Sequence, residues 1–280
     1  MSVHDPVNPE DAPPASQGRT PLDEARAAID AVDDQLLALV AERARLADTI
    51  AAAKTGAAAG AAMRPAREAA LIRRLIASAP KDVDASIIVE VWRALIAGNL
   101  RRQKPLEVFA GGAPDVTRHF DLARRHFGVF TRIVRADDAR VTLTRMMETP
   151  GAAAVLPFPS SSGPGMWWPI LAESKFHGAA IVAALPALGL PGGPEGAVVM
   201  QGAVLEPSGQ DTTLALAFDP HHKFVRGMNE SGLKGREVAR ARTLLMIEFE
   251  GFVADDDRRL VALGKAGLDG VRIVGVYARI

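Results

Sequence analysis

Leu22, Arg26, Ile29, Val32, Leu36, Leu39, Arg43, Leu46, Ile50 and Lys54 follow one another in steps of three and four residues. That spacing lays all of them along one stripe of an amphipathic or coiled-coil helix. Three of the ten are cations, so the stripe is apolar but interrupted. Thirty-three residues of helix make a rod of roughly 50 Å, longer than a domain of about 85 residues covers by itself. Such a rod needs a partner. Arg43 and Lys54 lie three turns apart and point the same way, so their side chains can converge on one small molecule. Arg26 lies about 25 Å from Arg43 along the axis and cannot join them from the same chain. In an antiparallel pair of such helices, Arg26 of one copy comes beside Arg43 of the other and adds a third cation to each site.

Cations on a packing stripe cost several kcal/mol each to bury unless an anion compensates. Two shorter helical patterns follow, one opened by Arg64-Pro65 and running to about Ala77, the other from about Asp84 to Gln103. Pro65 suits a first helical turn. The second pattern offers one carboxylate in phase, Glu68, which shares a face with Leu71 and Leu75. On the third, Trp92, Leu95, Asn99 and Gln103 make a stripe that ends in two amides. One acid against Arg26, Arg43, Lys54 and Arg67 leaves an excess of positive charge that a small dianion would balance. Taken singly, each cation is equally a stripe-edge residue that snorkels to water, and Glu68 a first-turn acid favoured by the helix dipole.

The whole chain carries no such excess: Lys plus Arg equals Asp plus Glu at 33 each, so no global field draws a nucleic acid. No stretch demands a membrane. With no cysteine among 280 residues, disulfides, thiolate metal sites and thiol catalysis are excluded, which is compatible with the cytoplasm. Residues 1–19, rich in acids and prolines, read as a disordered tail rather than a signal peptide, and the TGAAAGAA run between the first two helices reads as a mobile connection.

Past Lys104-Pro105 the pattern changes. Short β-rich runs (LEVFA, FTRIVRA, AAAVLPF, AAIVAALP) alternate with helical runs (DVTRHFDLARRHF, ARVTLTRMME), the signature of an α/β domain with a largely parallel sheet. LPGGPEG reads as a linker or extended turn. TTLALAF, TLLMIEFEGFV, a helix over DDDRRLVALGKAGL and VRIVGVYARI then form an α+β pattern. The expected fold class is multidomain, α followed by α/β, divided into 20–104, 106–196 and 197–280.

The segments ARAAIDAVDDQLLALVAERARLADTIAAAK, RPAREAALIRRLI and VWRALIAGNLRRQ resemble the all-helical class of chorismate mutases over residues 20–104. The resemblance implies a three-helix mutase domain in an intertwined dimer, with two active sites per dimer. It further implies that Arg43 and the partner's Arg26 bind the two carboxylates of chorismate. Lys54 would contact a carboxylate and the ether oxygen, Gln103 would donate to the same oxygen, and Glu68 would hold the ring hydroxyl. Arg67 would support the site. Arg64 stands where the family often has an aspartate, and Asn99 where a serine is frequent. The implied conversion of chorismate to prephenate is an intramolecular rearrangement that needs no cofactor, metal or nucleophile.

LEVFAGGAPDVTRHFDLARRHFGVFTRIV with AAAVLPFPSSSG is similar to the first lobe of prephenate dehydratase, and TLLMIEFEGFVADDDRRL with VRIVGVYARI to the end of an ACT regulatory domain. The chain is short for a full mutase–dehydratase fusion, and no Thr-Arg-Phe motif stands where a second lobe would carry it. Dehydratase activity is therefore not expected. An amino-acid effector is compatible with the ACT-like part, which lacks a Glu-Ser-Arg-Pro motif. The alternatives are a bifunctional mutase–dehydratase and a non-catalytic amino-acid sensor. His221-His222 read as surface residues rather than metal ligands, FPSSSGPG lacks the Gly-Lys-Ser/Thr ending of a phosphate loop, and Met166-Trp167-Trp168 reads as a helix start that buries aromatic area, or an exposed pair at an interface.

Overall fold

The computed structural model describes residues 20–53, 63–112 and 117–280. The tail, Lys54 and the TGAAAGAA connection lie outside them. Contacts divide the chain into two units, one ending at Thr49 and the other spanning Ile50–Ile280.

The first unit is the greater part of helix α1, Pro21–Ala53. It begins where chemistry favours a beginning. Pro21 occupies the first turn, and a reciprocal box closes over it: the Thr20 hydroxyl donates to Asp23 Oδ2 at 2.6 Å while Asp23 N donates back to Thr20 Oγ1 at 3.3 Å. The Thr20 hydroxyl and the Thr20 backbone N–H, both donating to Oδ2, hold the Asp23 carboxyl below its ordinary pKa. No residue of α1 is buried.

In the second unit, α2 (Pro65–Ser78) and α3 (Ala85–Gln103) start at Pro65 and at an Asp84 cap that accepts from Ser86 N at 2.6 Å. The strands β1 (Glu107–Gly111), β2 (Arg132–Ala136) and β3 (Ala153–Pro157) are parallel, and their crossovers carry α4 (Thr117–Phe127) and α5 (Ala139–Glu148). Strands β4 (Ala179–Leu185) and β5 (Gly196–Gln201) form an antiparallel pair, so LPGGPEG belongs to a hairpin connection inside the sheet. The remainder is a βαββαβ unit: β6 (Asp211–Phe218), α6 (Phe224–Ser231), β7 (Gly235–Ala241), β8 (Leu244–Glu250), α7 (Arg258–Lys265) and β9 (Asp269–Ala278).

All nine strands join in the order β2-β1-β3-β5-β4-β9-β6-β8-β7. The seam between the two halves is narrow, a parallel contact of β4 with β9 that pairs Ile181 with Gly275. A Cβ at position 275 would stand 2.4 Å from the Ile181 carbonyl oxygen, so only glycine permits that approach.

Alternation along the strands sends side chains to two faces. On one, α5 and the 3₁₀ turns after β3 bury Leu143, Met146, Trp168, Leu171 and Phe176 against Phe109, Leu156 and Leu214. Trp167 and Trp168 are buried, and their indole N–H groups donate to the Pro157 and Ser160 carbonyls at 2.7 and 2.9 Å, which excludes an exposed interface role. On the other face, Ile72 of α2 and Val89, Ile96 and Leu100 of α3 enter the same core as Val108, Phe127, Val155 and Val198. The βαββαβ unit closes its own core around Leu245, Ile247, Leu263 and Leu268. No helix among the described residues is long and apolar enough to cross a membrane.

Candidate active site

The α1 stripe stands out in solvent. Leu22, Ile29, Val32, Leu36, Leu39, Leu46 and Ile50 are all exposed, by 47 to 61%. Arg26 is exposed on the same stripe beside Asp23 at 3.8 Å, whereas Arg43 is half-buried, and that burial lowers its pKa.

In the second unit, Glu68 forms a nearly enclosed ion pair. Its Oε2 accepts from Arg93 Nη1 at 2.9 Å, with 7% of the arginine side chain and 12% of the glutamate exposed. Its Oε1 accepts from Arg64 N at 3.3 Å, which ties the first turn of α2 back on itself. Arg93 was invisible to the stripe reading of α3 because it lies on the face of Val89, Ile96, Ala97 and Leu100, all buried, and not on that of Trp92, Leu95, Asn99 and Gln103. Those four are half-buried. The signal available in the sequence was an arginine at core phase in the third helix, a position that demands an acid.

Behind Arg93 lies His126 of α4. Burial, then the charge on Arg93, holds the His126 imidazole well below its ordinary pKa, and its ring meets Phe127 edge-on at 4.8 Å. Arg93 Nε and His126 Nδ1 have no hydrogen-bond partner among the described residues, and both side chains border a cavity of about 20 Å³ walled by Ala69, Ala184 and Ile280.

Arg64 is drawn the other way. Its Nη2 donates to both carboxylate oxygens of Glu206, at 2.5 and 2.6 Å, and that partner raises its pKa. One face further along α2, Arg73 donates to the carbonyls of Ser208, Gln210 and Arg279. The connection between β5 and β6 thus holds α2 at its start and again past its middle. Arg67 is exposed. Among the candidate residues the structure brings Arg64 and Glu68 together. Gln103, ten residues beyond Arg93, stands about 15 Å further along α3 and around its side. His221 and His222 are exposed, and no group of three or more potential metal ligands occurs among the described residues.

Residues 25–104, which span most of α1 and all of α2 and α3, match the family model of chorismate mutase type II. No curated protein matches the chain. Among solved structures, the quorum quenching acylase GqqA covers 63% of this chain and 96% of its own at 13% identity and a TM-score of 0.43. Prephenate dehydratase from Streptococcus mutans covers 63% of this chain and 100% of its own (15% identity, TM-score 0.40). Prephenate dehydratase in complex with L-Phe from Arthrobacter aurescens covers 62% and 90% (13%, 0.41). Likeness at this level fixes neither activity nor ligand.

Proposed function

We propose that the chain is a chorismate mutase that rearranges chorismate to prephenate in the cytoplasm, in the biosynthesis of aromatic amino acids. The observation that carries this reading is the family match over residues 25–104, which contains every candidate residue from Arg26 to Gln103. The working enzyme is a homodimer. A stripe of exposed Leu, Ile and Val on α1 supports a second copy as its cover, since an apolar face this long on a soluble helix calls for a partner.

Across that dimer, Arg43 and the partner copy's Arg26 hold the two carboxylates of the substrate, with Lys54, Arg64 and Arg67 adding positive charge. Holding the flexible side chain over the ring supplies the positional part of the rate. Lys54 and Gln103 donate to the ether oxygen as negative charge builds on it, Glu68 accepts from the ring hydroxyl, and Asn99 lines the same face as Gln103. No proton is transferred and no cofactor or metal takes part.

Residues 20–104 are the catalytic part of this reading. No Thr-Arg-Phe motif stands where a second dehydratase lobe would carry it, so prephenate is the final product. Residues 197–280, whose βαββαβ order supports a regulatory role, bind an amino-acid effector.

The deciding experiment is a chorismate-consumption assay with product identification on the wild type and on Arg43→Ala. Prephenate as sole product, with kcat/KM reduced at least a hundredfold in the variant, is expected. Undiminished turnover by Arg43→Ala rejects the site, phenylpyruvate formation rejects the single activity, and no consumption by the wild type favours a sensor.

A further inference from the structure

A buried arginine is a poor way to fill a core. Methionine or leucine occupies similar volume with no charge to desolvate, and replacing a buried ion pair by apolar residues is often neutral or stabilising. What Arg93 adds is direction. Its Nη1 reaches Glu68 Oε2 at 2.9 Å, and its own side chain is 7% exposed, packed against His126 of α4 and the end of β4. Arg64 N takes Oε1 at 3.3 Å. With a donor on each oxygen, the carboxylate plane is fixed and its remaining lone pairs are left to accept from a further donor. Arginine offers that geometry because its donors are set in a rigid fork and its charge is permanent.

We propose that Arg93 is a positioning residue of the mutase reaction, holding Glu68 in the orientation that receives the ring hydroxyl of the substrate. The inference rests on the mutase reading above. Arg93 itself touches no substrate. Arg93 lies within the family match, but it is seated beside His126 of α4 and Ala184 of β4, which lie outside it.

Full-length wild type, Arg93→Met, Arg93→Lys, Glu68→Gln and the double variant E68Q/R93M are to be compared, with the folded fraction of each fixed by circular dichroism and thermal melting. The substrates are chorismate and an analogue that lacks the ring hydroxyl. On chorismate, Arg93→Met is expected to lose about ten- to a hundredfold in kcat/KM, the cost of a misplaced contact, and Arg93→Lys less. On the analogue both variants should match the wild type within about twofold, because the contact that Arg93 serves is missing there, and E68Q/R93M should fall no lower than E68Q on chorismate. Equal losses on the two substrates, or losses that multiply in the double variant, make Arg93 a strut and overturn the proposal. If Arg93→Met does not fold, Arg93→Lys decides by the same two-substrate comparison. Failure of the wild type to consume chorismate instead rejects the mutase reading, and the role of Arg93 with it.

Discussion

At the residue scale, charge placement separates what each polar group can do. Gln103 is a hydrogen-bond donor at any ordinary pH, whereas a glutamate in its place donates only when protonated. Wild-type turnover is therefore expected to show no requirement for acid, and Gln103→Glu to recover activity only below about pH 5, the ordinary carboxyl range; kcat/KM profiles from pH 4.5 to 8 check this. His126 gives a second pH prediction. Burial and the charge on Arg93 hold its folded pKa well below the ordinary imidazole value of about 6.5, so the unfolded chain binds the proton first. The stability that comes from a neutral His126 is complete above 6.5 and is lost as pH falls below that value toward the folded pKa. Thermal melts from pH 7.5 to 5 should show the midpoint falling, and His126→Leu should flatten that acid limb. Gln103 is a candidate from the sequence because the end of a helical stripe marks it. Arg93 and His126 are not, since their roles depend on α3 and α4 packing face to face, which no local period encodes.

Elements differ in how far their own sequence completes them. Helix α1 has its cap and its stripe from local signals alone, and it is helical through its last described residue, Ala53. What it lacks is a cover. Burying a leucine is worth about 1.5–3 kcal/mol, and a symmetric interface uses each position twice. Leu36→Glu should therefore raise the dimer dissociation constant by at least about a hundredfold and remove mutase activity at micromolar protein; sedimentation equilibrium and the chorismate assay read both. An unchanged dimer would place the interface elsewhere. The strands β1 to β4 were equally plain as β-branched and alanine-rich runs. Strands β5 and β7 and helix α6 escaped notice: GAVVMQ is a short apolar run behind a glycine-rich turn, GREVARA an edge strand of charged residues, and FVRGMNES a helix with a glycine inside it. Each is fixed by pairing or packing with distant chain.

For the whole molecule, the central fact of the second unit is that α2 and α3 share a core with the α/β sheet. Met63, Ile72, Val89, Ile96 and Leu100 are buried in it, and losing even half of their burial removes about 5 kcal/mol, the scale of a domain's entire stability. A chain cut to residues 1–104 is accordingly expected to lose its cooperative thermal transition and at least tenfold in chorismate turnover. A truncated chain as active as the full one would show instead that the mutase helices close a core of their own. The sequence by itself determined the helices and which of their positions carry cations and an acid, because spacing at three and four residues, proline and capping signals act within a few turns. Only the tertiary structure decided that Glu68 aims at Arg93, that Glu206 holds Arg64 and that one glycine lets β4 and β9 meet within a single sheet. Ion pairs between positions 25 and 142 residues apart, and a backbone approach across 94 (from Ile181 to Gly275), are set by how elements pack, and packing is a property of the assembled chain.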